Sequence, residues 1–327
     1  MIPQIINRRG MDLERSGSMA SLVKSKNTAT GIRTLIGLLS LRRLPAMVIV
    51  LMFAAVTRVP LVCQASDLGL INALELKQNT AGWMILDGRP ENAWKTNHIP
   101  GSFSFSWETH THTDENGIQF RILSQDRLAE ALGNLGISRD TPVVVYGDAD
   151  KSWGGEGWIC WMLGWLGHSG PIRLLSGGVQ AWERNGFVLE SYSRHTPAGK
   201  KKNEAGTVYV PILHHELNIS AKALFKEKEK IQLVDTRSIR EWFFGHLPGA
   251  VHIPWKKFIN GVDHTPLDRL ETLQLLKKHG INPEKPVVYY CTGGIRSAYA
   301  WMVHELSELP MARNFEGGTE AWDTLIP

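Results

Sequence analysis

The chain has 327 residues, of which 43% are hydrophobic and 21% are charged, and its formal net charge at pH 7 is +4. This composition is typical of a soluble globular protein and is long enough for two domains. Nine Lys and Arg residues but only two Asp and Glu residues lie in residues 1–65, so this segment carries +7 and the remainder −3. A mildly acidic body argues against a nucleic-acid surface, and we expect no nucleic-acid partner.

The first 65 residues have the pattern of a leader with a signal peptide. Arg42 and Arg43 precede the 13-residue apolar run "LPAMVIVLMFAAV", which is shorter than the about 20 residues of a membrane span. The small-residue motif "CQA" (63–65) follows, so we predict cleavage after Ala65. The mature protein would then be periplasmic or extracellular, with no stable membrane insertion. The alternative is an uncleaved N-terminal membrane anchor over residues 34–57.

The rest of the sequence contains two copies of one pattern. The matching pairs are "ILDGRPENAWKTNHIPGSFSFSW" (85–107) with "LVDTRSIREWFFGHLPGAVHIPW" (233–255), "TPVVVYG" (141–147) with "KPVVYYC" (285–291), and "SGGVQAW" (176–182) with "EGGTEAW" (316–322). Two long copies predict duplicated domains, which we place at 68–190 and 213–327. Residues 191–212, rich in Lys, Gly and Ser, are predicted to link them.

Each copy alternates short apolar runs with helical patterns. Runs such as "VVVY" (143–146) and "VVYY" (287–290) predict buried strands, whereas the leucine spacing of "LAEALGNLGI" (128–137) predicts a helix that stops at glycine. This alternation predicts an α/β fold in which each domain is a parallel sheet with helices on both faces. Sites in such sheets form at the carboxyl ends of the strands, which is where Cys291 lies.

The residues after Cys291 are suited to holding a negative charge. Gly293 and Gly294 let successive backbone amides point inwards, a helix predicted to begin near Arg296 or Ser297 adds its positive N-terminus, and Arg296 adds a full charge. These features favour a thiolate and predict that Cys291 is a nucleophile. Cys160 lies in the apolar stretch "WICWMLGW" and is predicted to be a small buried residue.

The chain resembles the tandem-domain rhodanese family, the thiosulfate and 3-mercaptopyruvate sulfurtransferases. The resemblance covers roughly residues 68–327 and is carried by "VDTR" with "GHLPGA" (234–250), "YYCTGGIRS" (289–297) and "EGGTEAW" (316–322). It implies that Cys291 accepts sulfane sulfur from a small-molecule donor and passes it to a thiol or cyanide acceptor. It also implies that backbone amides of the loop hold the terminal sulfur of the persulfide. The residues of this loop are Thr292, Gly293, Gly294, Ile295, Arg296 and Ser297.

Several other residues are candidates for supporting roles. Asp235 and Arg237 follow a strand and are predicted to form a buried ion pair or to support the loop. Arg240 is a candidate for binding an anionic substrate. In the first copy Gly147 stands in the place of Cys291, so that copy lacks a nucleophile, and its loop is expected to form one wall of a cleft that Trp153 could reach. The sequence has no metal-ligand spacing and no dinucleotide fingerprint, so we expect neither metal nor cofactor.

Alternatives remain open for the reaction. A single loop arginine favours an anionic donor such as thiosulfate, and 3-mercaptopyruvate is the alternative donor. A persulfide carrier or sensor without turnover is a second possibility. A cysteine phosphatase is disfavoured, because its cradle has five residues between Cys and Arg, whereas four separate Cys291 from Arg296 here.

Overall fold

The structure is a computed structural model that describes residues 67–149, 151–192, 206–310 and 312–323. The predicted signal peptide with its cleavage site lies outside the described residues, and so does the part of the predicted linker at 193–205. The described residues all belong to one compact unit, Val59–Pro327. No helix in these four ranges is both long enough and apolar enough to cross a bilayer.

The first copy is built around a five-stranded sheet. In chain order its elements are β1 (Leu68–Ile71), α1 (Ala73–Gln78), β2 (Met84–Asp87), α2 (Glu91–Thr96), β3 (Ser102–Ser104), α3 (Trp107–His110), β4 (Thr111–His112), β5 (Arg121–Ile122), α4 (Gln125–Asn134), β6 (Val143–Tyr146), α5 (Gly155–Trp165), β7 (Ile172–Leu175) and α6 (Gly178–Arg184). The sheet order is β1-β7-β6-β2-β3, and every pairing in it is parallel. Strands β4 and β5 form a separate antiparallel hairpin, which the sequence analysis did not predict.

The second copy repeats this sheet with one strand fewer. Its elements are α7 (Ala221–Glu227), β8 (Gln232–Asp235), α8 (Ile239–Phe243), β9 (Val251–His252), α9 (Arg269–Lys278), β10 (Val287–Tyr290), α10 (Ile295–Leu306), β11 (Ala312–Phe315) and α11 (Gly318–Asp323). The parallel order is β11-β10-β8-β9, and a single bridge between Asn218 and Asn314 stands where β1 pairs with β7 in the first copy. Two parallel sheets with helices around them confirm the predicted α/β class.

The central strands explain why their sequences are continuously apolar. All four residues of β6 and all four of β10 are buried, because helices cover both faces of each sheet. The flanking helices carry their own start signals. Ser124 caps α4, and Asp268 with Glu271 forms a capping box at α9.

The two copies share one core. The largest cluster of buried side chains joins Trp158 and Trp161 of α5 to Tyr299 and Trp301 of α10. The two helices approach closely at Gly157, where an added Cβ would collide with the backbone of Tyr299. Glycine is therefore required at this crossing for steric reasons.

The second half of the predicted linker is packed against the first copy. The Ile212 amide donates to the Leu166 carbonyl at 3.0 Å, and the His214 amide donates to the Trp165 carbonyl at 2.9 Å. Tyr209 is buried and stacks with His168. Residues 206–214 thus extend along the first copy before the second begins.

We expect Gly157→Ala to destabilise the protein by about 1–3 kcal/mol, because the new methyl group forces α5 and α10 apart. Gly261→Ala is the matched control, since a Cβ at Gly261 meets nothing within 4 Å. Urea unfolding of both variants measures the difference. Equal midpoints for the two variants would show that the helix crossing tolerates a side chain.

Candidate active site

Cys291 lies directly between the end of β10 and the start of α10. Gly294 caps α10 with φ at +86°, a left-handed conformation, and a Cβ there would run into the backbone of Glu316. The Gly294 amide donates to the Cys291 Sγ at 3.1 Å. The helix begins at Ile295, one residue earlier than the sequence suggested. The turn therefore places a backbone N–H and a helix N-terminus at the sulfur.

A buried polar network supports this turn from β11. The Ser297 hydroxyl lies 3.7 Å from the Cys291 Sγ and donates to Asn314 Oδ1 at 2.6 Å. The Asn314 amide in turn donates to the Gly294 carbonyl at 3.0 Å. Cys291 itself is only 1% exposed. The sulfur is held in a fixed and nearly dry environment.

Arg296, in the first turn of α10, has a carboxylate partner that the sequence analysis missed. Its Nη1 and Nη2 donate to the two oxygens of Glu241 at 2.8 and 2.7 Å, and Nη2 also donates to the Thr292 hydroxyl at 2.9 Å. Thr292 donates to Glu241 at 3.0 Å, which closes the triangle. Glu241 was visible in the sequence only as the end of a Ser238-x-x-Glu capping box at α8.

The electrostatics of this pair are strong. Burial raises the pKa of Glu241, but hydrogen bonds from Arg296 and Ser238 outweigh it and hold that pKa well below its usual value. Burial lowers the pKa of Arg296, but its interactions with Glu241 and Cys291 more than offset this and raise that pKa. Both side chains are therefore charged at neutral pH, and Arg296 interacts with both the Glu241 carboxylate and the Cys291 sulfur.

The first copy reaches over the loop with the β4–β5 hairpin. A Cβ at Gly293 would collide with the side chain of Phe120, so this glycine is needed for the close approach. Beside it, Arg121 pairs with Glu316 at 2.8 Å, and the Ile122 amide donates to the same carboxylate at 2.7 Å. The hairpin thus forms one wall over Gly293 and anchors the segment after β11.

In the equivalent loop of the first copy, the side chain of Glu156 occupies the space beside Gly147. A Cβ at Gly147 would collide with the carboxylate of Glu156, which is itself buried. Glu156 is the second residue of α5, the position that Arg296 occupies in α10. Where the second copy has a thiol beside a cation, the first has a glycine beside a carboxylate.

Asp235 and Arg237 form the buried ion pair that the sequence predicted. The guanidinium donates to Asp235 Oδ2 at 2.6 Å and to the Gly245 carbonyl at 2.6 Å. Asp87 and Arg89 make the same pair in the first copy. The same ion pair is present in the copy without a nucleophile. We therefore infer that its role is structural and that it ties the end of a strand to the following turn.

Arg240 is not brought to the loop. It is exposed on α8, and its guanidinium lies 5.8 Å from the ring centre of Phe244. A pocket of about 560 Å³ beside the loop is lined by Thr292, Glu241 and Phe244 among others, but not by Arg240. Substrate binding by Arg240 stays a prediction.

The described parts of the chain contain neither a second reactive thiol nor a metal site. Cys160 is fully buried in α5, and burial together with the charge of Glu156 raises its pKa far above the usual value. Within the described ranges no group of three or more His, Cys, Asp or Glu side chains could hold a metal ion. Cys291 is therefore the thiol in the described residues whose surroundings suit chemistry.

Comparison with known proteins identifies the family. The pattern of the Rhodanese-like domain matches residues 71–185 and 220–325. The chain belongs to the rhodanese family. Several relatives are named thiosulfate sulfurtransferase, and this chain is a sulfurtransferase of the rhodanese type. The chain is 30% identical over 256 residues to the sulfur carrier protein TtuD of Thermus thermophilus, covering 71% of this chain and 85% of that one.

Other relatives and solved structures agree on the family and the fold. The thiosulfate sulfurtransferase of Corynebacterium glutamicum is 28% identical, over 70% of this rhodanese and 78% of its own length. The crystal structure of SseA from Escherichia coli, described as a 3-mercaptopyruvate sulfotransferase, matches 76% of this chain and 98% of its own with a TM-score of 0.65 at 19% identity. The anaerobic ergothioneine biosynthesis enzyme of Chlorobium limicola matches 78% of this chain and 68% of its own with a TM-score of 0.65 at 22% identity.

We expect Glu241→Ala to lower the free energy of unfolding by about 1–2 kcal/mol at pH 7, a figure discounted for the partial exposure of Glu241. The pKa of Glu241 is depressed below its usual 4.5, so its contribution is complete above about pH 4.5 and is lost as the pH falls through the lower folded value. Denaturant unfolding of parent and variant should be measured between pH 8 and pH 3. The difference in their free energies of unfolding should stay constant from pH 8 to about pH 4.5 and should shrink at lower pH.

Glu227→Ala is the matched control for this pair. Glu227 binds Arg313 at 2.8 Å and is more exposed, with 42% of its side chain accessible against 35% for Glu241. Glu227→Ala should therefore lower the free energy of unfolding by less than Glu241→Ala does. If Glu241→Ala loses no more free energy of unfolding than Glu227→Ala, the Arg296–Glu241 pair is an ordinary surface ion pair.

Proposed function

We propose that this rhodanese moves sulfane sulfur from thiosulfate to a thiol or cyanide acceptor through a persulfide on Cys291. The observation that carries the proposal is the position of the Cys291 sulfur, which accepts from the Gly294 amide at 3.1 Å at the N-terminus of α10. Backbone amides, a helix dipole and Arg296 together suit an anionic sulfur. The relative named thiosulfate sulfurtransferase supports the donor.

The transfer takes two balanced steps. The Cys291 thiolate attacks the outer sulfur of thiosulfate, the sulfur–sulfur bond to the sulfonate breaks, and sulfite leaves with the electron pair. The acceptor thiolate or cyanide then attacks the terminal sulfur of the persulfide, and the electron pair of the breaking sulfur–sulfur bond returns to Cys291. Between the steps, the loop amides from Thr292 to Ser297 would hold the terminal sulfur, and burial would shield it from water.

3-Mercaptopyruvate is the second candidate donor. The Glu241 carboxylate bonds both terminal nitrogens of Arg296, so the positive charge of the loop is largely balanced within the site. A balanced charge attracts a dianion less strongly, which makes a donor with one negative charge the second candidate. The name of SseA supports this donor as well.

Intact-mass analysis tests the proposal. After incubation with thiosulfate the parent should gain the mass of one sulfur, and peptide mapping should place it on Cys291. Cys291→Ser should lose turnover by at least about a thousandfold, since no other group replaces the nucleophile. Cys160→Ser is the matched control and should load sulfur and turn over like the parent.

The outcome separates the alternatives. Loading by 3-mercaptopyruvate but not by thiosulfate would replace the donor. Loading without steady-state turnover towards cyanide or thiols would indicate a carrier or sensor. Sulfur found on Cys160, or turnover that survives Cys291→Ser, would remove Cys291 from the reaction.

We also propose that the protein is exported and acts outside the cytoplasm on small thiols or cyanide. The Arg pair, the 13-residue apolar run and "CQA" support this proposal. N-terminal sequencing of the natively expressed protein should find a chain that begins at Ser66 in the periplasmic or extracellular fraction. An intact leader in the soluble cytoplasmic fraction would contradict export, and one in the membrane fraction would indicate an anchor.

A further inference from the structure

The two equivalent loops of this rhodanese have diverged in length. Cys291–Gly294 joins β10 to α10 with four residues, whereas Gly147–Gly154 joins β6 to α5 with eight. The longer loop has Gly147 where the shorter one has Cys291, and the Glu156 carboxylate fills the space beside Gly147. Its additional residues are not needed to join the strand to the helix, so they point to another use.

The longer loop carries Trp153 to the active site of the second copy. The guanidinium carbon of Arg296 lies 5.1 Å from the centre of the Trp153 ring, within the range of a cation–π contact. The next residue, Gly154, fixes the end of the loop against α10, since a Cβ there would lie 2.9 Å from Tyr299 Cβ and 3.3 Å from Trp255. The position of Trp153 thus follows from the packing of the two copies.

Arg296 then interacts with four residues. Glu241 and Thr292 accept from its terminal nitrogens, Trp153 covers its face, and its charge interacts with the Cys291 sulfur. Glu241 and Thr292 belong to the second copy, and only Trp153 comes from the first. A guanidinium held at its edge and on its face has little freedom to turn away from the sulfur.

Trp153 also holds an unfavourable backbone conformation. Its φ is +59°, in the left-handed region that side chains other than glycine rarely adopt, and 53% of its surface is exposed. A half-exposed tryptophan contributes little to a core, so its strain is not explained by burial. Strained residues of this kind are concentrated at functional sites.

We propose that Trp153 is a positioning residue for the sulfurtransferase reaction, which acts by holding Arg296 against Glu241 and beside the Cys291 sulfur. This inference rests on the proposed function and deepens it. The first copy, which has no nucleophile, thereby takes part in sulfur loading at the second.

The experiment measures the single-turnover rate of sulfur loading on Cys291 by thiosulfate. Trp153→Leu keeps an apolar side chain but removes the π face, and it should lower the loading rate by roughly 5- to 30-fold, the range of a cation–π contact. Trp153→Phe keeps a ring and should stay within about threefold of the parent. Trp153→Gly should load as slowly as the leucine variant, because it also removes the π face.

A double-mutant comparison shows whether Trp153 acts through Arg296. In an Arg296→Ala background, Trp153→Leu should change the loading rate by less than about twofold, since the cation it positions is gone. Lys228→Ala is the matched control, because it removes another cation–π contact, in which the Lys228 nitrogen lies 5.1 Å from the ring centre of Phe225. It should load sulfur at the parent rate.

The outcomes are separable. A parent that takes up no sulfur on Cys291 would overturn the proposed function itself. If the parent does take up sulfur, three results would contradict a positioning role for Trp153. Trp153→Leu could load at the parent rate, or Trp153→Phe could load as slowly as Trp153→Leu. Trp153→Leu could also slow loading as much in the Arg296→Ala background as in the parent.

Discussion

The close crossing of α5 and α10 is the constraint on which the rest of the site depends. Both helices follow a central strand: α10 begins at the loop that carries Cys291, and α5 begins at the equivalent loop of the first copy. Because Gly157 lets α5 press against the backbone of Tyr299, the two N-termini are brought to the same region. A larger side chain at the crossing would separate the loops, and Trp153 would no longer lie over Arg296.

The sequence predicted well the features that depend on nearby residues. The apolar runs of β6 and β10 mark central strands because both faces are buried, and the glycines after Cys291 mark the turn because only glycine fits beside Glu316 and Phe120. The duplicated pattern indicated two domains of one fold. The buried pair of Asp235 and Arg237 could be predicted because the two residues are neighbours on one turn.

The sequence did not predict the contacts between distant segments. Arg296 was expected to add a full positive charge to the loop, but its partner Glu241 lies 55 residues away and was recognisable only as a helix cap. The β4–β5 hairpin was not foreseen either, since two-residue strands leave no periodic pattern. Its ion pair with Glu316 joins residues almost two hundred positions apart. Such contacts are set by the packing of the two copies, which local patterns do not encode.

The Glu156 carboxylate beside Gly147 has a consequence for the history of the chain. A duplicated gene starts with two equal copies, and either could in principle regain what it has lost. Here a cysteine placed at position 147 would meet the Glu156 carboxylate, so this buried side chain would have to take another conformation before a thiol could fit. A nucleophile in the first copy thus depends on repacking a buried carboxylate, and selection on that copy can act on what its loop contributes to the active site of the second.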